Sequence, residues 1–316
     1  AEAIARYRSL GNRRYSRVRA ADRSLEVVTA NRCDYNSLSP GTAANDRPIA
    51  RITGEQSRMP GRPYILAETT WKAVSQTDFE VAILPWGATE AHNYHLPYGT
   101  DVLESESIAA AAAARAWDEG ARVVVLPTVP FGVNTSQIEI KLDINLNPST
   151  QMAILRDVVD VLEHQKVPKL VIMNGHGGND FRQMLRELWP SYRLFMCTLD
   201  WYKWVDRSLF QETGDHADEM ETSLIQHIRP DWVLPLSEAG DGAERRFKIK
   251  ALRDGAAWSP RDWVQATADT GIGDPRAATA EKGARCLQDL ADRIGEFLVE
   301  LSAADLDDLY ETGSPK

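Results

Sequence analysis

The sequence predicts an α/β fold with a largely parallel sheet covered on both faces by helices. Two observations lead there. Short apolar runs of strand length alternate with helical segments of ten residues or more, the pattern of successive strand–helix crossovers. The chain also has 316 residues, 43% of them hydrophobic and 26% charged, which is ample to bury a sizeable core without disulfides.

The elements follow in order. Val81 to Pro85 reads as a buried strand, Ser105 to Trp117 as an Ala-rich helix, and Arg122 to Leu126 as a second strand. Ser149 is placed to cap a helix running to about Gln165, and Lys169 to Met173 is a strand that ends in a glycine-rich turn. Arg193 to Leu199 reads as another strand, Glu219 to Ile228 as a helix, and Thr279 to Leu301 as a long amphipathic helix. In such sheets ligands sit beyond the carboxyl ends of the strands.

Charge divides the chain. Residues 1–58 hold 11 Arg, no Lys and 6 acids, a net of +5, so that of the total −10 the remainder carries −15. The first stretch shows no sustained period and is expected to be an N-terminal extension, disordered or loosely packed; its acid-poor, Arg-rich bias also resembles a transit peptide. Residues 59–316 are expected to form one catalytic domain. An acidic body argues against a general nucleic-acid binder, and no apolar run approaches the ~20 residues of a membrane span. Cys33, Cys197 and Cys286 are too few and too scattered for a disulfide framework, which points to a reduced, cytoplasmic protein.

Three segments concentrate acid and histidine. After the first strand comes Trp86-Gly-Ala-Thr-Glu90-Ala-His92-Asn-Tyr-His95-Leu-Pro-Tyr-Gly-Thr-Asp101. Glu90 and His92 project to one side of extended backbone, and a turn through Pro97 and Gly99 can return Asp101 towards them. Carboxylates with imidazole suit Zn, Mn or Fe in an open catalytic site. A solvated polar loop is the plainer reading, and His95 serves equally to orient the loop. The second segment, Asn174-Gly-His176-Gly-Gly-Asn179-Asp180, follows another strand and lacks the lysine and the spacing of a phosphate loop. The third, Asp215-His216-Ala-Asp218-Glu219-Met-Glu221-Thr-Ser223, opens a helix, where acids commonly serve only to complement the dipole. All three lie at strand ends or helix starts, which converge on one edge of a parallel sheet. Trp201 and Trp204 read as packing or as a pocket wall, His164 and His227 as helix-end surface residues, and Gly271 to Pro275 as a turn.

Together these segments resemble the creatininase (creatinine amidohydrolase) family, whose patterns are an E-x-H followed by HLP-x-GTD, an NGHGGN and an HA-x-x-x-ETS. A fourth similar segment is Gly-Asp-Pro followed by Ala278-Thr-Ala-Glu-Lys-Gly283. The resemblance covers Met59 to about Leu301. It implies a three-layer α/β/α domain, a homo-oligomer (a hexamer) and two divalent metal ions (Zn, Mn or Fe). It places Glu90 and His176 on one metal, His92 on the other and Asp101 between them, with Glu221 as the remaining ligand and Glu219 as its runner-up or a catalytic group. Creatininase itself carries NGHYEN, and Gly177 and Gly178 stand in place of that Tyr and Glu, which makes creatinine itself doubtful as substrate. The expectation is hydrolysis of a small-molecule cyclic or linear amide, with His216 shuttling the proton. The alternatives are a formamide hydrolase or peptidase of the same family, or a non-catalytic metal or small-ligand binder. A two-metal phosphoesterase would add Arg or Lys for phosphate charge, and the motifs contain neither.

Overall fold

The computed structural model describes residues 61–311; the expected extension over 1–58 lies outside them. Four strands, β1 (Val81–Trp86), β2 (Val123–Val125), β3 (Lys169–Asn174) and β4 (Phe195–Asp200), form an all-parallel sheet in the order β2-β1-β3-β4. The helices between and after them are α1 (Thr100–Asp118), α2 (Pro148–His164), α3 (Phe181–Leu188), α4 (Glu219–Ile228) and α5 (Ala280–Ala303).

Strand alternation divides the core in two. Val81, Ile83, Val123, Val171 and Met173 point to one face, where they pack with Ile108, Ala109 and Ala112 of α1, Leu224 of α4 and Leu290, Ile294 and Leu298 of α5. Ala82, Leu84, Leu170 and Ile172 point to the other, against Leu155, Val159 and Leu162 of α2 and Phe181, Met184 and Leu188 of α3. The result is the expected three-layer α/β/α arrangement. Among the described residues no helix is long and apolar enough to cross a membrane.

Two boundaries differ from the sequence expectation in ways that shape the site. Helix α1 begins at Thr100, a turn before Ser105, because the chain leaves its turn at Gly99 and Asp101 is well placed in a first helical turn. Helix α2 starts at Pro148 with Asn147 before it, since proline at a first helical position loses no hydrogen bond. Helix α3 spans only 8 residues, too short for a clear helical period in the sequence; Asp180 caps it and Trp189-Pro190 ends it.

Helices α4 and α5 meet closely. A Cβ on Gly283 would collide with the backbone of Ser223, so the fourth segment packs directly on the third. Thr279 caps α5 and its N–H donates to Ser223 Oγ. The thiols of Cys197 and Cys286 are pushed up to about 12 by burial, which leaves them unreactive as nucleophiles.

Candidate metal centre

The strand order places a switch point between β1 and β3, since the chain passes from β1 to β2 on one side and then to β3 on the other. The crevice beyond their carboxyl ends receives the β1–α1 loop with Glu90 and His92, the start of α1 with Asp101, and the β3–α3 turn with His176. The approach to α4 adds His216, and the first turn of α4 adds Glu221. All six side chains are buried.

Each histidine has one nitrogen committed to a backbone carbonyl. His92 Nδ1 donates to Glu90 O at 3.1 Å, His176 Nε2 to Val133 O at 3.1 Å, and His216 Nε2 to Ala91 O at 2.8 Å. A carbonyl can only accept, so these bonds fix the tautomers and turn the other nitrogen of each ring into the cluster. His92 Nε2 lies 2.8 Å from Asp101 Oδ1 and 3.9 Å from Glu221 Oε2. His176 Nδ1 lies 3.0 Å from Asp101 Oδ2 and 2.9 Å from Glu90 Oε1. His216 Nδ1 is 3.8 Å from Glu90 Oε1.

The donor atoms fall into three groups compact enough to hold a cation: Glu90 with Asp101 and His176, His92 with Asp101 and Glu221, and Glu90 with His92 and His216. Asp101 belongs to the first two. Buried His92 Nε2 and Asp101 Oδ2 have no well-formed hydrogen bond among the described residues despite their close approach, as expected of atoms arranged around a cation. The donor set, imidazole nitrogen with carboxylate oxygen, fits Zn, Mn or Fe.

The clustered acids and imidazoles also act on one another's proton affinity. Burial opposes charge on His92, yet Asp101, Glu221 and Glu90 hold its ring up at about 10. His176 is raised in the same way against its burial, chiefly by Glu90 and Asp101. Asp101 is held below the usual carboxylate range by His92 and His176 despite its burial. Burial pushes Glu221 up to about 8, with Asp218 and Asp101 adding to it. His216 is the exception: burial and the charge on His92 lower it, which favours the neutral ring with Nδ1 as an acceptor.

Glu219 does not join the cluster. It is fully buried, but its carboxylate accepts from the N–H groups of Gln211 and Glu212 and pairs with Lys282 of the fourth segment. Residues two apart in sequence lie about 200° apart around an α-helix, so Glu221 and Glu219 cannot face the same partner. His95 orients its loop: its Nε2 meets Thr222 Oγ1 at 2.9 Å. Trp201 is core, Trp204 packs on Phe297, and His164 and His227 are exposed. The Gly271–Pro275 turn does more than precede α5: Ile272 exchanges backbone hydrogen bonds with His216, and Gly273 has a φ of 119° that favours glycine.

Several supporting residues gave no signal in the sequence. Gln137 Nε2 donates to Glu90 Oε2, and Asp143 Oδ1 accepts from Ala91 N at 2.8 Å. Trp263 stands edge-on to His216, with ring centroids 5.3 Å apart, and His216 stacks on His92 at 4.1 Å. Glu104, one turn beyond Asp101, is fully buried, and that burial, with Glu221 and Asp101 nearby, pushes its carboxyl well up. Gln137, Asp143 and Trp263 lie in segments with no acid–histidine clustering, and Glu104 falls just past the end of the first one.

A cavity of about 920 Å³ opens on Glu90, Asp101, His176, His216 and Glu221. Tyr202, Trp258 and Trp263 contribute aromatic wall. Arg207 and Arg261 also line it, so the tertiary structure brings in the cations that the motifs lack. Arg207 is paired with Asp218 at 3.4 Å, and Arg261 with Glu244 at 3.1 Å and Asp215 at 3.3 Å.

Comparison with known proteins matches residues 67–298 to the family model Creatininase: Creatinine amidohydrolase. A Bacteroides fragilis protein provisionally named a creatinine amidohydrolase superposes with a TM-score of 0.73 at 40% identity, covering 79% of this chain and 99% of its own. A mycofactocin precursor peptide peptidase of Mycobacterium ulcerans is 27% identical over 238 residues, 71% of this chain and 83% of its own. Creatinine amidohydrolase of Pseudomonas putida is 26% identical over 262 residues, 73% of this chain and 96% of its own.

Proposed function

The chain belongs to the creatininase family of amidohydrolases, and on that premise we propose that it hydrolyses a cyclic or linear amide at a centre of two divalent ions. The observation that carries this reading is the division of the two Asp101 oxygens between His92 Nε2 and His176 Nδ1, at 2.8 and 3.0 Å. A carboxylate shared in that way is suited to bridge two ions. Glu90 and His176 would complete one site and His92 and Glu221 the other. When bound, the ions supply the charge that acidifies water and stabilises the negative oxygen developing on an attacked carbonyl.

The chain's own residues do the rest. Gln137 holds one oxygen of Glu90, leaving the other to the cluster. His216, neutral and fixed through Nε2 on Ala91 O, can take a proton at Nδ1 and return it to the departing nitrogen. Such return is needed because an amide nitrogen leaves poorly unless protonated. Trp263 holds the ring edge-on while this happens. The low exposure of the cluster strengthens the charge interactions within it.

A second reading, a peptide substrate, is supported by the size of the cavity. About 920 Å³ lies at the top of the ~300–1,000 Å³ range that encloses a drug-sized ligand, more than one small ring needs. The named activity of the mycobacterial relative points the same way.

The test is elemental analysis of the purified protein followed by a hydrolysis screen over creatinine, formamidopyrimidines, cyclic amides and short peptides. Metal-dependent release of an amine from one of these, abolished by chelation and restored by Zn or Mn, is expected. A protein that binds no divalent ion, or that binds it and cleaves none of these amides, would overturn the reading.

A further inference from the structure

Among the described non-glycine residues with left-handed backbone, three stand beside the candidate centre: Asn93 at φ 53°, Ala217 at 51° and Thr270 at 68°. Asn93 follows His92, and Ala217 follows His216. Thr270 belongs to neither segment and is the hardest of the three to place there, because a side chain branched at Cβ crowds its own backbone at positive φ. Such a conformation persists only where its surroundings over-determine it, and positions of this kind gather at functional sites.

The partners of Thr270 supply that determination. Its N–H donates to Thr267 Oγ1 at 3.1 Å, its carbonyl accepts from Trp263 Nε1 at 2.9 Å, and its hydroxyl oxygen accepts from the N–H of Asn93 at 2.9 Å. The next residue presses on the same loop, since a Cβ on Gly271 would lie 2.7 Å from Asn93 Nδ2. One residue further, Ile272 N donates to His216 O at 2.8 Å and Ile272 O accepts from His216 N at 3.2 Å. The strip 270–272 therefore backs both histidines: it holds the residue after His92, the indole that stands edge-on to His216, and the backbone of His216 itself. The two rings stack although their segments are far apart in sequence, and a direct bond from His216 Nε2 to Ala91 O joins them as well. Thr270 does not line the cavity that opens on them.

We propose that Thr270 is a positioning residue: through Asn93 N and Trp263 Nε1 it sets the His92 loop and the His216 ring at one spacing, so that the proton carrier stands at a fixed distance from a metal ligand. The hydroxyl is the part that matters, because it ties the strained residue to the His92 loop while the carbonyl beside it receives the indole. Groups that support a ligand from behind in this way commonly govern metal affinity and activity about 10- to 100-fold without touching ion or substrate. The inference rests on the amidohydrolase reading only in taking His92 as a ligand and His216 as the proton carrier.

Two variants separate the hydroxyl from the fold. Glycine adopts positive φ freely, so Thr270→Gly relieves the backbone and deletes the acceptor, whereas Thr270→Ser keeps the acceptor. In the full chain with isotope-labelled histidine, before metal is added, Thr270→Gly is expected to move the ring resonances of His92 and His216. Those of His176, which is held from Val133, should stay in place, and Thr270→Ser should leave all three unmoved. On titration with zinc, Thr270→Gly should weaken one of the two binding steps about tenfold, and should have no such effect in a His92→Ala background. On the amide found by the screen, kcat should fall about tenfold at unchanged KM, with Thr270→Ser restoring it. A residue serving the fold alone would lower the unfolding midpoint and leave these readouts as in wild type. Unmoved His92 and His216 resonances in Thr270→Gly, a shift shared equally by His176, or a Thr270→Ser protein as defective as Thr270→Gly would overturn the proposal. The resonance contrast needs neither metal nor turnover. A protein that binds no zinc or cleaves no amide would therefore lose the amidohydrolase reading, while the role of Thr270 is still decided by that contrast.

Discussion

Glu221 and Glu219 leave one helix two residues apart for different partners: Glu221 Oε2 faces His92 Nε2 at 3.9 Å, whereas Glu219 is buried against Lys282. Glu221→Gln should therefore lose one of two bound ions, while Glu219→Gln should keep both. Lys282→Met should also keep both ions but lower stability by about 1.5–3 kcal/mol, the worth of a hydrogen bond to a charged group. Elemental analysis beside thermal unfolding separates these outcomes. Loss of metal in Lys282→Met with stability unchanged would show that the assignment of the two acids is inverted.

Asp101 touches both histidines, so its removal should reach both ions. Asp101→Ala is expected to purify with neither, and His92→Ala with one still bound beside Glu90 and His176. Metal stoichiometry on proteins prepared identically checks this, and unchanged metal in Asp101→Ala would rule out a bridging role.

His216 is the neutral ring of the cluster, fixed through its Nε2 hydrogen bond to Ala91. His216→Asn should reduce kcat by about 10²- to 10⁴-fold, the usual contribution of a positioned proton carrier. Metal content and KM should change little. Kinetics on the amide identified by the screen, with metal measured in the same samples, test the separation. Full activity in the variant would remove His216 from the reaction.

His95 is a buried neutral imidazole whose pKa burial and the nearby charge on His92 lower to about 4 from an ordinary 6.5. The unfolded chain binds this proton at a higher pH than the folded one does. Its contribution is therefore complete above pH ~6.5 and is lost as pH falls towards 4, for about 2–3 kcal/mol in all. Urea unfolding in chelator at several pH values should show this acid limb, and His95→Gln should flatten it. An equally steep limb in the variant would assign the loss to other groups.

Much of the fold was legible because strand and helix periods are local. The four apolar runs became the four strands, and Glu219–Ile228 is helical over the range expected. The ligand types were legible too, since acid and histidine crowded at strand ends admit few other uses. The beginning of α1 was misplaced by a turn, because Ala-rich sequence marks a helix interior more plainly than its start. The segment after Ile228 carries little regular structure, and nothing in its composition marks Trp263 as the neighbour of His216.

By itself, then, the sequence determined the layered α/β architecture, the family pattern and the residue types able to hold a metal, because each is written in short-range spacing. Only the tertiary structure decided which of two nearby glutamates faces the cluster and which nitrogen of each histidine is turned towards it. Those depend on what stands opposite each side chain once distant segments meet: Lys282 against Glu219 and Val133 against His176. Hydrogen-bond direction is a property of pairs, and most of these pairs form only on folding.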